Sequence, residues 1–278
     1  MQSDKYLLGR RSAEEDRLAK QVLDLEGEAR WLLDRLDIRP GARAIDLGCG
    51  PRGGVLNLLA ERVGPTGSVV GLEYSESFVA STREFVARQS MTNVEVLQGD
   101  ARATGLARNS FDVAHMRLVL VNIPAPEQVV AEMVALVRPG GRIASHEADY
   151  EPHICDPPSQ AWDRLLDVYK AYSAAHGIDL FVGRRTHRMF REAGVVDIEV
   201  RPVIHAYPPG HNRRSIFWDF IQNTRDRMVG EGFIGEDELA TLSDDLKRHL
   251  DDPRTLVVSH MHLQVWGRKP DDRQSARL

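Results

Sequence analysis

The chain has 278 residues, 28% of them charged, and a formal net charge of −5. That mild acidity, with no basic run, argues against a nucleic-acid partner, and no apolar stretch approaches the ~20 residues that span a bilayer. The polar opening Met1-Gln2-Ser3-Asp4-Lys5 is unlike a secretory leader, and two cysteines, Cys49 and Cys155, make neither a disulfide framework nor a metal cluster, so a cytoplasmic protein is expected.

Ser12 with Glu15 three residues on has the form of a capping box. It opens a helix whose apolar positions, Leu18, Val22, Leu25, Ala29, Leu32 and Leu36, recur at helical spacing until Pro40-Gly41 stops it. Residues 1–40 therefore read as an amino-terminal helical cap. Strands and helices then alternate: strand 43–47, helix 54–63, strand 68–72, helix 76–88, strand 94–97, strand 111–116, helix 126–137 and strand 142–147. Gly64-Pro65-Thr66-Gly67 and Arg138-Pro139-Gly140-Gly141 mark two of the turns. That alternation predicts an α/β fold, a doubly wound and mostly parallel sheet.

After Asp149 the pattern changes. An amphipathic stretch carries Trp162, Leu165, Leu166, Val168, Tyr169 and Tyr172, a helix follows over about 184–193, and a strand over 197–203. Residues 207–252, opening on Pro208-Pro209-Gly210, read as a helical insertion, and 256–266 as the closing strand. The main domain is thus expected over 41–270, with 271–278 as a flexible tail.

Three carboxylates stand out. Asp46, Glu73 and Asp100 fall at predicted strand ends at equal steps of 27 residues. Three βα units would present these acids along the carboxyl edge of the sheet, where open α/β sheets bind ligands. Asp46 also precedes Gly48-Cys49-Gly50, a turn at which glycine lets a ligand approach the backbone. The combination suits a nucleotide-like ligand with a positively charged end.

Over roughly residues 43–149, and more loosely beyond, the chain resembles the class I S-adenosylmethionine-dependent methyltransferases, in their small-molecule (secondary-metabolite or quinone-type) branch. Asp46-Leu47-Gly48-Cys49-Gly50 is similar to that family's first-strand motif, and Phe111-Asp112-Val113 and Leu136-Val137-Arg138-Pro139-Gly140-Gly141-Arg142 to the starts of its fourth and fifth strands. The resemblance implies a seven-stranded Rossmann-like sheet, S-adenosylmethionine as cofactor and S-adenosylhomocysteine as product. It implies that Asp46, Gly48 and Gly50 meet the methionine end, that Glu73 accepts both ribose hydroxyls, and that Asp100 and Ala101 contact adenine. Cys49, Tyr74, Gly99 and Met116 join them as cofactor-binding positions.

Tyr6-Leu7-Leu8-Gly9, followed by Glu15, Arg17, Leu18 and Gln21, is similar to the opening of some small-molecule methyltransferases. That likeness implies that Tyr6, Arg17 and Gln21 lie over the cofactor; the amphipathic reading instead puts Arg17 and Gln21 on a solvated face. The glycine pattern departs from the family at Arg52, where a third glycine is usual, and Gly53 is expected to take over its turn. Gly48-x-Gly50-x-x-Gly53 is then formally a dinucleotide fingerprint. An NAD-dependent oxidoreductase, and a protein of this fold that binds the cofactor without methyl transfer, stand as alternatives.

Methyl transfer needs its nucleophile in line with the S–CH3 bond, and a base only for a phenol, an alcohol or a carbon acid. Arg117, just past the fourth strand, is expected either to orient an acidic or phenolic substrate or to pair with a helix carboxylate. His146 is the candidate base, with Glu147, Asp149, His153 and His115 as rivals; strand alternation sends His146 and Glu147 to opposite faces. His205, His211, His260 and His262 read as structural or surface residues, and His260-x-His262 brings no further metal ligand. The acceptor pocket is expected between the amino-terminal helix and Phe217, Trp218, Phe220, Ile221 and Met228, with Tyr172 and Phe181 opposite. A small organic molecule, methylated on oxygen, carbon or nitrogen, fits this better than a nucleic acid or a membrane, with a monomer or homodimer as the assembly.

Overall fold

The computed structural model describes residues 12–151 and 153–271, so Tyr6 and the last seven residues lie outside the described residues. Helices α1 (Ser12–Asp24) and α2 (Glu26–Leu33) precede β1 (Arg43–Leu47), α3 (Leu56–Val63), β2 (Ser68–Glu73), α4 (Glu76–Arg88) and β3 (Val94–Gln98). The middle of the chain forms β4 (Phe111–Arg117), α5 (Pro126–Leu136), β5 (Val137–Asp149), β6 (Ile154–Asp156) and α6 (Gln160–Ala175). It closes with α7 (Val182–Glu192), β7 (Val196–Val203), α8 (Ile216–Gly230), α9 (Glu236–Asp251), β8 (Leu256–Val258) and β9 (Met261–Arg268). Serines open two of the helices: Ser75 accepts from the Phe78 N–H ahead of α4 and Ser159 from the Trp162 N–H ahead of α6.

Among the described residues seven strands form one sheet in the order β3-β2-β1-β4-β5-β9-β7. The strands β1 to β5 pair in parallel, and β9 runs antiparallel between β5 and β7. The chain winds outward from β1 to β2 and β3, then returns past β1 to β4 and β5. This reversal opens a crevice at the carboxyl ends of β1 and β4, the ligand-binding position of doubly wound sheets. On one face Leu32, Leu33, Leu56, Leu59 and Val63 pack on Ala44, Val69, Val113 and Trp266. On the other, Met133, Phe190, Tyr169, Phe217 and Leu246 from α5 to α9 build on Ile45, Leu47, Ala114 and Met116. Apart from Arg43, β1 is buried throughout, which is why its sequence reads as a nearly unbroken apolar run around one acid.

Three local expectations change. The helix read as continuous from Ser12 breaks at Leu25 (φ −102°, ψ 10°), one residue before the Glu26-Gly27 pair; glycine is a poor helix former. The strand read as 142–147 begins at Val137, because Arg138-Pro139-Gly140-Gly141 stays within the strand, with Gly140 at φ +80°, past a register shift opposite Phe111 and Val113. The closing strand divides: Leu256–Val258 leaves the main sheet to pair with β6, a strand absent from the sequence reading. Ser259 and His260 bridge the two pieces, with the Ser259 hydroxyl donating to the His260 carbonyl at 2.9 Å. The insertion after residue 207 is helical as expected, and it consists of α8 and α9.

Candidate active site

One cavity of about 220 Å³ occupies the crevice. Its floor follows the strand ends across the sheet: Gly99, Asp100 and Ala101 after β3, Glu73 and Tyr74 at β2, Asp46, Gly48, Cys49 and Gly50 at β1, Arg117 at β4, and Ala148 and Tyr150 at β5. His260, just ahead of β9, completes this row. The roof is Arg17, Leu18, Gln21 and Val22 from α1 and Phe220 from α8. Sheet order thus converts acids spaced evenly in sequence into neighbours one strand apart, about 4.8 Å each.

Each acid is held differently. Asp46 is 3% exposed and lies opposite His115 in the β1–β4 register, its Oδ1 2.7 Å from His115 Nδ1. Glu73 accepts the Gly50 N–H at 3.0 Å on Oε2 and the Ser75 N–H at 2.8 Å on Oε1. A carboxylate has about four lone-pair positions, so these bonds fix its plane while leaving it an acceptor towards the cavity. Asp100 is clasped by Arg102, whose Nε and Nη2 lie 3.0 and 2.6 Å from its two oxygens. Arg102 also lines the cavity and was not singled out from sequence; a side chain two residues past the acid carries no periodic signal.

The glycine turn answers the question of the third glycine. A Cβ on Gly54 would stand 2.5 Å from the Cys49 carbonyl oxygen and 3.5 Å from Asp46 Oδ2, so Gly54 rather than Gly53 is the close-packed position. Gly53 faces Phe85 instead. Gly50 is the complement, with φ +67° and nothing within 4 Å of where its Cβ would be. Backbone there opens straight into the cavity. The Cys49 thiol lies under this turn, and burial together with Asp46 and Glu73 drives its pKa well up, so it stays a neutral thiol.

The acceptor-side residues separate. Strand registers place Asp46, His115, Arg117, His146 and Gln264 on one face in a row across β1, β4, β5 and β9. Arg117 reaches the cavity wall. His146 does not: it is fully buried beneath the row, with Gln264 Nε2 3.5 Å from its Nδ1 and the His262 ring 5.0 Å away, and burial pushes its pKa well below the ordinary value. Met116 points to the opposite face and joins the apolar core rather than the cavity wall. His115 is committed to Asp46.

Two carboxylates considered as bases have structural partners. Glu147 Oε1 accepts the Val119 and Leu120 N–H groups at 3.0 and 3.2 Å and Oε2 the Val121 N–H at 3.3 Å, fastening the turn after β4; burial raises its pKa to about 7. Asp149 is gripped by Arg184 at 2.6 and 2.7 Å. His153 sits behind the cavity among Tyr150, Trp162, Phe217 and His260, and burial lowers its pKa to about 4. Of the insertion and facing aromatics expected to form the acceptor pocket, Phe220 alone lines this cavity. Phe217, Ile221, Met228 and Tyr172 fill the core, and the Trp218 indole donates to the Ser243 carbonyl at 3.1 Å.

Tyr150 and His260 are the acceptor-side wall residues that the sequence reading passed over. They stack with ring centroids 4.6 Å apart and planes 5° from parallel. The His260 and His262 Nε2 atoms are 2.9 Å apart, so one ring donates to the other, and burial holds both well below the ordinary histidine pKa. The doublet His260-x-His262 was the available signal, and its two rings meet in a hydrogen bond.

Comparison with known proteins agrees with this geometry. A family model described as a methyltransferase domain matches residues 38–194, more than half of the chain. A demethylmenaquinone methyltransferase of Shouchella clausii is 36% identical over 198 residues, covering 65% of this chain and 83% of its own. An uncharacterized 37.1 kDa protein in transposon TN4556 of Streptomyces fradiae is 33% identical over 73% of this chain, which spans only 57% of that protein's length. Among solved structures, Haemonchus contortus phosphoethanolamine N-methyltransferase 2 in complex with phosphomonomethylethanolamine and S-adenosylhomocysteine superposes with a TM-score of 0.57 at 19% identity, covering 91% of this chain and 53% of its own. At that identity the likeness is one of fold. No helix among the described residues is long and apolar enough to cross a membrane. The dinucleotide alternative gives way to the methyltransferase match, and a buried Asp46 beside the glycine turn is a poor neighbour for a pyrophosphate. The chain belongs to the S-adenosylmethionine-dependent methyltransferases, with a Rossmann-like sheet.

Proposed function

We propose that the chain moves the methyl group of S-adenosylmethionine to a small, flat organic acceptor by direct displacement. The observation that carries this reading is continuity: the acidic row and the apolar chamber of Tyr150, Phe220, Leu18 and Val22 are two ends of one cavity. The residues fit the cofactor. Gly50 leaves the backbone bare at the turn, Asp46 supplies negative charge beside it, and Glu73, its plane already fixed, accepts the ribose diol. Tyr74, Asp100 and Ala101 bound the adenine end, and Arg17 and Gln21 cover the methionine end from α1. Bound there, the cofactor supplies a sulfonium electrophile; the chain's own task is to hold the acceptor in line and keep water out.

The apolar chamber and the absence of a basic run favour a small organic acceptor over a polymer. Incubation with methyl-labelled cofactor and a panel of phenols, carboxylic acids, carbon acids and amines tests the proposal. Transfer of label to a panel member supports it. Tight binding of S-adenosylhomocysteine with no transfer to any member would favour the alternative of a cofactor-binding protein of this fold.

A further inference from the structure

Charge reverses along the floor of the cavity. Asp100, Glu73 and Asp46 lie at β3, β2 and β1, and the next strand brings Arg117 to the wall. No described residue forms an ion pair or a hydrogen bond with the Arg117 guanidinium, and the two carboxylates whose fields reach it are already engaged. Asp46 is paired with His115 at 2.7 Å, and Glu28 with His205 at 2.6 Å. A second cation lies nearby. Arg213 is 3% exposed, donates from Nε to the Tyr207 hydroxyl at 2.9 Å, leaves Nη1 without a partner, and repels Arg117. The imidazoles around the site offer no negative charge.

Arg117 is half-buried at the cavity wall, and even partial burial of an uncompensated cation is costly; the loss of surrounding water lowers its pKa. A fold retains such a group where a ligand brings the counter-charge. Arg117 lies on the β4 side of the cavity, next to Ala148 and Tyr150 and away from Glu73 and Asp100, so that counter-charge belongs to the acceptor end.

We infer that Arg117 is the counter-cation for an acceptor oxyanion, so that the acceptor is a small organic acid, a phenolate, enolate or carboxylate, taken up already ionised. This rests on the methyltransferase reading. A lone pair of the ionised acceptor forms the new bond to the methyl carbon while the carbon–sulfur bond breaks, its electrons remaining on sulfur. Positive sulfonium and negative acceptor are both neutralised, and no proton remains to be removed. Histidines held neutral around the site are then consistent with the chemistry, because no base is called upon.

The test uses Arg117→Met, with Arg117→Lys as the variant that keeps the charge. Three readouts are taken: S-adenosylhomocysteine affinity by calorimetry, thermal unfolding of the free protein, and binding of 4-nitrophenolate and benzoate to the S-adenosylhomocysteine complex. Each anion is compared with its neutral methyl derivative, 4-nitroanisole or methyl benzoate. The expected result is a preference for at least one anion of about tenfold or more in the wild type, lost in Arg117→Met and partly kept in Arg117→Lys. S-adenosylhomocysteine should bind Arg117→Met within about twofold of wild type, and the free variant should melt at the same or a higher temperature, since a half-buried unpaired charge has gone. The inference is overturned if the wild type shows no preference for either anion, or if the preference survives in Arg117→Met. It is also overturned if Arg117→Met loses S-adenosylhomocysteine affinity about tenfold, because the counter-charge is then the cofactor's own carboxylate. A wild type that fails to bind S-adenosylhomocysteine would instead refute the underlying function.

Discussion

At the scale of single residues, the cavity shows two kinds of position that sequence alone does not separate. Gly50 and Gly54 both have positive φ, yet only Gly54 has a neighbour that a Cβ would strike, the Cys49 carbonyl at 2.5 Å. Gly54→Ala should therefore cost about 2 kcal/mol or more in urea unfolding, the left-handed penalty plus a backbone clash. Gly50→Ala, at φ 67° and ψ −178° where glycine alone is at ease, should cost about 1–3 kcal/mol of stability and also weaken S-adenosylhomocysteine binding, because the new methyl group enters the cavity. An unchanged affinity in Gly50→Ala would take this turn out of the binding surface. Glu73 makes a different prediction. Its carboxylate ties down Gly50 and Ser75, so Glu73→Ala removes ligand acceptors and also leaves two N–H groups without partners. Cofactor affinity should fall by about 1–3 kcal/mol, measured by calorimetry; an unchanged affinity would remove Glu73 from the binding surface.

At the scale of elements, the roof joins two segments about two hundred residues apart in sequence. The Arg17 guanidinium lies 5.1 Å from the centre of the Phe220 ring, and its Nη1 donates to Gln21 Oε1 at 2.9 Å, so α1 and α8 meet above the cavity. A cation over an aromatic face contributes about 0.5–2 kcal/mol depending on burial. Phe220→Ala should raise KM for the acceptor several-fold while changing S-adenosylhomocysteine affinity little, as measured in steady-state assays beside calorimetry. An equal loss of both would show that the roof serves the cofactor as much as the acceptor. Legibility in the sequence follows the same division. The β1–α3–β2–α4–β3 units and the carboxylates at their ends were readable because short apolar runs closed by turn residues alternate with stretches of helical period, a signal that local sequence carries. The roles of Tyr150, Arg102 and His260 were not, because they depend on which distant elements pack together. Phe217, Phe220 and Ile221 look alike in the sequence; only their directions on α8 separate one wall residue from two core residues. The departure of β8 from the main sheet was hidden for the same reason, since it answers to packing, whereas the break at Leu25 had a local signal in Gly27.

At the scale of the whole molecule, buried titratable groups set how the fold responds to acid, and they oppose each other. Burial brings His153 from the ordinary 6.5 down to about 4. Between those values the unfolded chain binds the proton and the folded one does not, so stability falls as pH drops through that window, by about 3 kcal/mol in full. Glu147 acts in reverse. Its pKa rises from 4.5 to about 7, so the folded state holds the proton that the unfolded state has released, and stability rises as pH drops from about 7 to 4.5 by a comparable amount. These two nearly cancel where their windows overlap. His146, His260 and His262 break the tie, since all three are depressed by burial in the same direction as His153. The wild type should therefore lose stability between about pH 6.5 and 5, read as a falling urea midpoint. His153→Phe, an aromatic replacement among Tyr150, Trp162 and Phe217, should flatten that slope. Glu147→Gln should steepen it, because the group that gains from acid is gone, and should lower stability near neutrality as the turn after β4 loses one of the two oxygens that accept its N–H groups. The opposite signs make the pair decisive: slopes that move together in the two variants would show that acid acts on this fold through groups other than these.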